Sequence, residues 1–319
     1  MHFKEFQGVY MDKTEKIWLN GKLVNWADAK VHVLAHALNY GTGVFEGIRV
    51  YHTPKGPAVF RLKDHVRRLM DGCKVMGIDL VFDGKEYGFD DLMNAIKDTV
   101  RANGDAVDYV KPCVFLSGEE VGLNPVGVPA SMAITCIHMG AYLGKDSSAG
   151  AKLITSSWQR PDNLCGPAGA KVNGSYVAST LAKREAVRQG ANEAVMLNSV
   201  GHVAECTGEN IFLYRHGKII TPQIAECILE GITRQSIIDV ARDMGYTVEE
   251  TQVSRTQLVT ADEVWMTGTA AEIAPVTMID GRTIGTGKIG EVATKIHEKF
   301  HDIATGKAPE YDAWLDYVN

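Results

Sequence analysis

The sequence predicts an α+β fold made of two domains. Its 319 residues, 45% hydrophobic and 23% charged, are enough to bury two cores. Strand and helix patterns are mixed along the chain without the regular alternation of a parallel β/α fold. A polar segment rich in Gly and Ser lies near the middle. We therefore expect a small N-terminal α+β domain over residues 1–137, a linker over 138–148 and a large C-terminal α+β domain over 149–319.

The N-terminal half is predicted to open with a β-hairpin. Asn20 and Gly21 lie between the apolar runs KIWL and KLV, and Asn-Gly is the dipeptide that tight hairpin turns favour. Beyond it, apolar runs predict strands, and apolar residues at helical spacing predict helices. The expected strands cover residues 44–51, 58–61, 107–116 and 132–138, and the expected helices cover residues 62–76 and 89–103.

The C-terminal half is predicted to continue the same mixture. Strands are expected over residues 151–158, 193–198, 210–215 and 263–267, the last of these being the final strand, with helices over 176–189 and 233–244. The chain contains no internal repeat. In proteins with two such domains a ligand commonly lies at the domain interface.

Charge and cysteine content narrow the class of protein. The formal net charge is −6 and the basic residues are scattered, which argues against a nucleic-acid partner. Charges near the N-terminus do not suit a signal peptide and no segment is long and apolar enough to span a bilayer, so we expect no membrane association and a cytoplasmic location.

The six cysteines include no Cys-x-x-Cys pair and are expected to be reduced. His32 and His36 have helical spacing but no acidic partner, so no metal site is predicted.

Lys171 is the candidate catalytic residue. It lies in the segment 166–176 (GPAGAKVNGSY), where Gly, Ala and Ser surround a single lysine. A lysine that forms a Schiff base needs an open approach for a flat cofactor, and small residues provide that approach. The segment therefore indicates a Schiff-base lysine.

Three other segments supply groups that suit a phosphorylated pyridine. Glu205, in the turn-rich connection 201–210 (GHVAECTGEN), offers a carboxylate that would keep a ring nitrogen protonated. Residues 231–235 (GITRQ) precede a predicted helix that Thr233 is placed to cap, and the helix start suits a phosphate. Arg61 offers a guanidinium group for the same phosphate, and residues 267–272 (TGTAAE) supply further amides and hydroxyls. Together with Lys171, these groups describe a pyridoxal 5'-phosphate site.

The same motifs resemble a known family. Residues 29–49 (AKVHVLAHALNYGTGVFEGIR), 140–144 (GAYLG), 231–234 (GITR), 267–273 (TGTAAEI) and 314–316 (WLD) are similar to the branched-chain amino acid aminotransferases of bacterial type, which are fold type IV pyridoxal phosphate enzymes. The resemblance runs from about residue 17 to the C-terminus. It implies a two-domain fold with the active site at the domain interface.

The resemblance also implies roles for individual residues. Lys171 would form the Schiff base, Tyr176 would contact the ring hydroxyl and Glu205 would pair with the pyridine nitrogen. The phosphate would be held by Arg61, Ile232, Thr233 and Thr269, and Leu229 would lie against the ring. The substrate would be bound by Tyr40, Phe45, Gly47, Tyr109, Lys111, Met139, Tyr142, Thr269 and Ala270.

The implied reaction is transamination of leucine, isoleucine or valine with 2-oxoglutarate, giving branched 2-oxo acids and L-glutamate by a ping-pong mechanism. The loop 121–125 (VGLNP) resembles one that reaches the neighbouring subunit's site, so a homodimer or a dimer-based hexamer is implied. The alternatives are a D-amino acid or (R)-amine aminotransferase of the same fold, an aminodeoxychorismate lyase, and a non-enzymatic binding protein that retains the fold.

Two substrate-site residues depart from the family pattern. Lys111 stands where the family usually has arginine, and Met139 stands where tryptophan is typical. Arginine binds a carboxylate through two parallel hydrogen bonds, whereas lysine presents a mobile point charge. We expect Lys111 to accept glutamate with less selectivity and the flexible Met139 to widen the side-chain pocket.

Overall fold

A computed structural model describes residues 11–139 and 149–318. The strands of its first sheet come mainly from the N-terminal half, and two regions of helix cover one side of it. The sheet runs in the order β19-β5-β4-β8-β9-β1-β2, with β3 paired to β8. Its strands are β1 (Met11–Leu19), β2 (Lys22–Asn25), β3 (Gly43–Phe45), β4 (Ile48–Thr53), β5 (Gly56–Phe60), β8 (Tyr109–Leu116), β9 (Ala130–Met139) and β19 (Leu315–Tyr317); β6 (Val81–Phe82) and β7 (Lys85–Glu86) form a separate small hairpin.

The second sheet is formed by the C-terminal half. It runs in the order β12-β11-β10-β17-β16-β13-β14-β15, with β18 paired to β17. Most of its pairs are antiparallel, whereas β10 pairs in parallel with both of its neighbours and β14 pairs in parallel with β15. Its strands are β10 (Ala151–Thr155), β11 (Glu193–Leu197), β12 (Val203–Cys206), β13 (Asn210–Arg215), β14 (Lys218–Pro222), β15 (Val248–Thr251), β16 (Glu263–Gly268), β17 (Glu272–Ile279) and β18 (Arg282–Thr283).

The helices pack on these sheets through their apolar faces. In α2 the buried residues Val66, Leu69 and Cys73 recur at helical spacing, and Gly77 ends the helix with a positive φ of 62°. The predicted bounds of α2 and α3 agree with those observed. The helices are α1 (His36–Tyr40), α2 (Leu62–Met76), α3 (Phe89–Asn103), α4 (Tyr176–Arg188), α5 (Ile232–Asp243), α6 (Arg255–Val259) and α7 (Glu291–Ala304).

Separate hydrophobic cores lie against the two sheets. One core surrounds Ile48 and Ile134 of the first sheet, and another surrounds Phe212 and Trp265 of the second. The α+β prediction is confirmed. The final strand β19 returns to the first sheet, where Leu315 pairs with Phe60, so the last residues of the chain connect the two halves.

Several details differ from the sequence predictions. The single strand expected over 44–51 is two strands, β3 and β4, separated by Glu46 and Gly47. Strands β17, β18 and β19 and helix α7 follow the strand expected to be the last. The linker prediction falls mostly on residues 140–148, which lie outside the described residues, as does Tyr142. Among the described residues, no helix has both the length and the apolar character needed to cross a bilayer.

Candidate active site

Lys171 lies in the connection between β10 and α4, next to the edge of the first sheet. Its carbonyl oxygen accepts a hydrogen bond from the backbone N–H of Phe45 at 3.1 Å. Its Nζ donates to the hydroxyl of Tyr176 at 2.9 Å and lies 4.7 Å from the centre of the Phe45 ring. A residue at the start of α4 and a residue of β3 therefore fix the direction of the amine.

Glu205 lies within strand β12, not in the turn that the sequence predicted. Its carboxylate is buried, and its Oε1 lies 2.8 Å from Nε of Arg160. The other oxygen accepts hydrogen bonds from Asn210 Nδ2 at 2.9 Å and from the N–H of Leu229 at 3.0 Å. Burial raises the pKa of the Glu205 carboxyl, and the positive charge of Arg160 opposes that rise.

The amino end of α5 differs from the prediction in its cap. Gly231 is the N-cap residue instead of Thr233, and no side chain caps the helix. A Cβ at Gly231 would come within 2.0 Å of Asn210 Oδ1, so only glycine allows this close approach. The first amides of α5 thus have no side-chain partner from the cap position, which leaves them directed at the space in front of the helix.

Arg61 contacts α5 from the neighbouring helix α2. It is the N-cap residue of α2, with a positive φ of 49°. Its Nε donates to Asp64 at 2.6 Å, its Nη1 donates to Ser236 Oγ at 3.0 Å, and its guanidinium lies 4.9 Å from the ring centre of Trp314. These contacts hold the positive charge of Arg61 beside the first turns of α5.

A cavity of about 1440 Å³ lies beside these groups; Lys171, Tyr176 and the start of α5 line it, whereas Glu205 and Arg61 do not. Its lining includes residues from both sheets, and most of the predicted site residues are among them. The predicted residues in the lining are Phe45, Gly47, Tyr109, Met139, Lys171, Tyr176, Leu229, Ile232, Thr233, Thr269 and Ala270.

Other predicted site residues lie outside that lining. Glu205 lies behind Leu229 and Asn210, both of which face the cavity. Lys111 is exposed, with its Nζ 5.3 Å from the centre of the Phe45 ring. Tyr40 is 38% exposed and donates a hydrogen bond to the carbonyl of Val121 at 2.5 Å.

The wall of the cavity around Gly47 and Thr269 is closely packed. A Cβ at position 47 would come within 1.9 Å of Tyr109 Oη. Only glycine at this position therefore allows the Tyr109 hydroxyl to lie against the backbone of Gly47. Arg49 Nε donates to the carbonyl of Thr269 at 3.3 Å, and its Nη2 donates to that of Ala270 at 3.2 Å. With its carbonyl groups held in this way, the turn between β16 and β17 has a fixed orientation.

Sequence reasoning missed some polar residues around the cavity. Arg160 and Asn210 contact Glu205, and Arg68 lines the cavity from α2. Asn210 is the last residue of the motif that contains Glu205, so its proximity could have been expected. No local signal marks Arg160, because its partner is 45 positions away in the chain.

The residues fit a flat, anionic, phosphorylated ring. A lysine amine with a hydroxyl partner and an uncapped helix end open on the same cavity, and a buried carboxylate lies behind its wall. Thr267 also lines it, and its buried Oγ1 has no hydrogen-bond partner among the described residues. This constellation is typical of an enzyme that works through a Schiff base. In the part of the chain that is described, no group of three potential metal ligands occurs, and α1 begins only at His36, so His32 does not share its helical face.

Comparison with known proteins identifies the family. The sequence model of the amino-transferase class IV family matches residues 43–279. The chain belongs to the class IV aminotransferases.

Individual relatives share most of their length with this chain. The branched-chain-amino-acid aminotransferase of Escherichia coli strain K12 is 41% identical over 96% of this chain and 98% of its own. That of Pseudomonas aeruginosa strain PAO1 is 40% identical over the same shares. The crystal structure of the branched-chain aminotransferase from the archaeon Thermoproteus uzoniensis with norvaline matches with a TM-score of 0.90 at 41% identity, covering 96% of this chain and 100% of that one. The crystal structure of the Thermobaculum terrenum branched-chain amino acid aminotransferase in its PLP form matches with a TM-score of 0.88 at 33% identity, covering 96% and 99% of the two chains.

Proposed function

We propose that this protein is a branched-chain amino acid aminotransferase that uses pyridoxal 5'-phosphate to move the amino group of leucine, isoleucine or valine to 2-oxoglutarate. The observation that carries the proposal is the pairing of Lys171 with Tyr176 at 2.9 Å in a cavity backed by the buried Glu205. Relatives that are 40–41% identical over nearly the whole chain bear this activity in their names. The products are the branched 2-oxo acid and L-glutamate.

The cofactor would be held by residues on both sides of the cavity. Lys171 would bind it covalently, Tyr176 would contact its ring hydroxyl, and Glu205 would face its ring nitrogen, with Leu229 against the ring. The phosphate would be bound by Arg61, Ile232, Thr233 and Thr269. When bound, the protonated pyridine ring withdraws electrons from the substrate Cα and makes its proton acidic.

Lys171 would act as the base for the proton on the substrate Cα. Once the substrate amine had displaced Lys171 from the cofactor, the freed Nζ would take the proton from the substrate Cα and would later release a proton on the cofactor side of the substrate nitrogen. Tyr176 keeps the amine directed into the cavity through its 2.9 Å hydrogen bond. Glu205 supplies the negative charge that favours a protonated ring nitrogen. Burial raises the pKa of Glu205, but the positive charge of Arg160 opposes that rise and favours the ionised carboxylate.

The substrate side of the cavity suits an α-carboxylate next to an aliphatic side chain. The backbone amides of Thr269 and Ala270 would bind the carboxylate, and Arg49 holds the carbonyl groups of that turn. The side chain would lie among Phe45, Gly47, Tyr109 and Met139, with Tyr40, Lys111 and Tyr142 completing the site. The rings and thioether of this set favour an apolar side chain.

Lys111 and Met139 would set the balance between glutamate and branched substrates. Lys111 carries its charge 5.3 Å from the ring of Phe45, which lines the cavity. A lysine would accept the second carboxylate of glutamate without two-point recognition. The double replacement Lys111→Arg with Met139→Trp should change the ratio of kcat/KM for glutamate and leucine, and an unchanged ratio would contradict this role.

The assembly is proposed to be a homodimer or a hexamer built from dimers. Several apolar side chains on and near α1 and on the loop after β8 are exposed in one protomer, with exposed fractions from 68% to 84%: Val33, Leu38, Val121, Leu123 and Val126. Contact with a second copy would cover such a surface. Sedimentation velocity tests this, and a monomer at micromolar concentration would contradict it.

The proposed domain bounds remain 1–137 and 149–319, joined by a linker over 138–148. Limited proteolysis tests the linker, because a cleavage site within 138–148 is expected.

The proposed location is the cytoplasm. All six cysteines are free thiols, which suits a reducing compartment. A fluorescent fusion imaged in its native cell tests the location.

Product analysis tests the activity. The purified protein with pyridoxal 5'-phosphate, L-leucine and 2-oxoglutarate should form 4-methyl-2-oxopentanoate and L-glutamate in equal amounts. Activity restricted to D-leucine, D-glutamate or an (R)-amine would identify the D-amino acid or amine type. Release of pyruvate from aminodeoxychorismate without a 2-oxo acid would identify the lyase.

A further inference from the structure

Helix α2 places two arginines against the amino end of α5. Arg61 and Arg68 are seven positions apart, which is about two helical turns, so they lie on the same side of α2. Arg61 Nη1 donates to Ser236 Oγ at 3.0 Å, and Arg68 Nη1 donates to the carbonyl of Glu230 at 2.8 Å. Glu230 precedes the N-cap Gly231. The start of α5 is therefore held on both sides by α2.

Arg68 is itself held by a buried carboxylate. Its Nε and Nη2 donate to the two oxygens of Glu46 at 2.6 Å and 2.8 Å. The ring nitrogen Nδ1 of His65 lies 2.7 Å from the same carboxylate. Because an ionised carboxylate only accepts hydrogen bonds, His65 is the donor. Burial raises the pKa of Glu46, but the charges and hydrogen bonds of Arg68 and His65 outweigh burial and hold that pKa well below its usual range.

Glu46 lies between two residues of the cavity wall. Phe45 and Gly47 both line the cavity. The N–H of Phe45 donates a hydrogen bond to the carbonyl of Lys171 at 3.1 Å. A continuous chain of contacts thus runs from Lys171 through Phe45 and Glu46 to Arg68. It ends at the carbonyl of Glu230, directly before α5.

We propose that Glu46, His65 and Arg68 form a positioning cluster that fixes the amino end of α5 relative to Lys171. The inference rests on the proposed function, in which the start of α5 binds the cofactor phosphate and Lys171 binds its other end. Three N–H groups of Arg68 are engaged by protein acceptors. Because these bonds join Glu46 to the carbonyl of Glu230, the role of Arg68 is to set the distance between Lys171 and the amino end of α5.

The replacement Arg68→Lys tests this role. Lysine keeps the positive charge but cannot bond both oxygens of Glu46 and the carbonyl of Glu230. We expect the dissociation constant for pyridoxal 5'-phosphate, measured by titrating the cofactor-free protein, to rise at least about tenfold. At saturating cofactor, kcat for L-leucine should fall about 10- to 100-fold, while KM changes less than about threefold, because misplacement of about 1 Å is enough for such losses.

Arg67→Lys is the matched control. Arg67 is the preceding residue of α2, exposed to solvent, and lies over the Phe89 ring at 5.7 Å. This variant should keep the wild-type dissociation constant and kcat. An Arg68→Lys protein that also keeps both values would overturn the proposal.

Chemical rescue separates positioning from simple packing. In Arg68→Ala, millimolar guanidinium should restore part of kcat. Arg68 lines the cavity, so free guanidinium can reach the position that the missing side chain occupied. The same addition should restore nothing in the double replacement Arg68→Ala with Glu46→Gln, because the anion that holds the guanidinium is gone. Equal rescue of both, or of neither, would overturn the proposal. An inactive wild-type protein would refute the proposed function instead, and cofactor binding would still report on Arg68.

Discussion

Replacing Arg160 by methionine removes the buried cation that faces Glu205. The two side chains are only 2% and 7% exposed, with Nε and Oε1 2.8 Å apart. Methionine fills much of the space of the arginine stem, but it leaves the carboxylate with neutral partners, Asn210 and the N–H of Leu229. Removing one member of a buried pair costs about 3–5 kcal/mol. Since those two hydrogen bonds remain, we expect a loss of about 3 kcal/mol in the free energy of unfolding.

Urea unfolding of the cofactor-free protein at fixed concentration measures this loss. Arg242→Met is the control, because Arg242 is 48% exposed and 3.3 Å from Glu250, and surface pairs contribute about 0–1 kcal/mol. The double replacement Arg160→Met with Glu205→Gln should recover part of the stability, since no unpaired charge stays buried. A loss no larger than that of Arg242→Met, or a double variant as unstable as the single one, would show that Arg160 does not offset the buried charge of Glu205.

Three further outcomes are expected. Glu205→Gln should lower kcat for L-leucine about 100-fold in steady-state assays, because a neutral amide does not favour a protonated ring nitrogen; near wild-type turnover would contradict that role. Tyr176→Phe should lower kcat about 10- to 100-fold, since the amine of Lys171 loses its hydrogen bond; a change below about twofold would show that Tyr176 does not direct the amine. Glu46 is held below its ordinary pKa of 4.5, so its ionised form stabilises the fold above about pH 4.5, and this contribution is lost as the pH falls towards the folded-state pKa. Between about pH 5 and pH 3 the melting temperature of wild type should therefore fall more than that of Glu46→Gln; parallel curves would exclude this contribution.

The strongest local patterns gave the most accurate predictions. Helices α2 and α3 were predicted from apolar spacing because each has one buried face and one exposed face. The break between β3 and β4 was missed although Glu46 and Gly47 interrupt the apolar residues of the segment 44–51, and a glycine inside a strand pattern often marks an irregularity. At this break the side chain of Glu46 accepts hydrogen bonds from His65 and Arg68 of α2, contacts that no local pattern shows.

The site was predictable where chemistry is local and unpredictable where it depends on folding. Lys171 and Tyr176 are five positions apart, and their hydrogen bond follows from one short segment. The buried position of Glu205 and its pairing with Arg160 depend on distant strands and loops. The contact of Arg68 with Glu230 spans 162 positions, so only the folded chain brings it about.

Lys171 and its cofactor are expected to take the amino group from a branched-chain L-amino acid. L-leucine added to the cofactor-loaded protein, without any 2-oxo acid, tests it in one half-reaction followed by absorption. We expect the visible band of the bound cofactor to be replaced by that of the pyridoxamine form, with one equivalent of 4-methyl-2-oxopentanoate released per loaded site. Neither change is expected in Lys171→Ala. A loaded wild-type protein whose spectrum ignores L-leucine and which releases no oxo acid would contradict it.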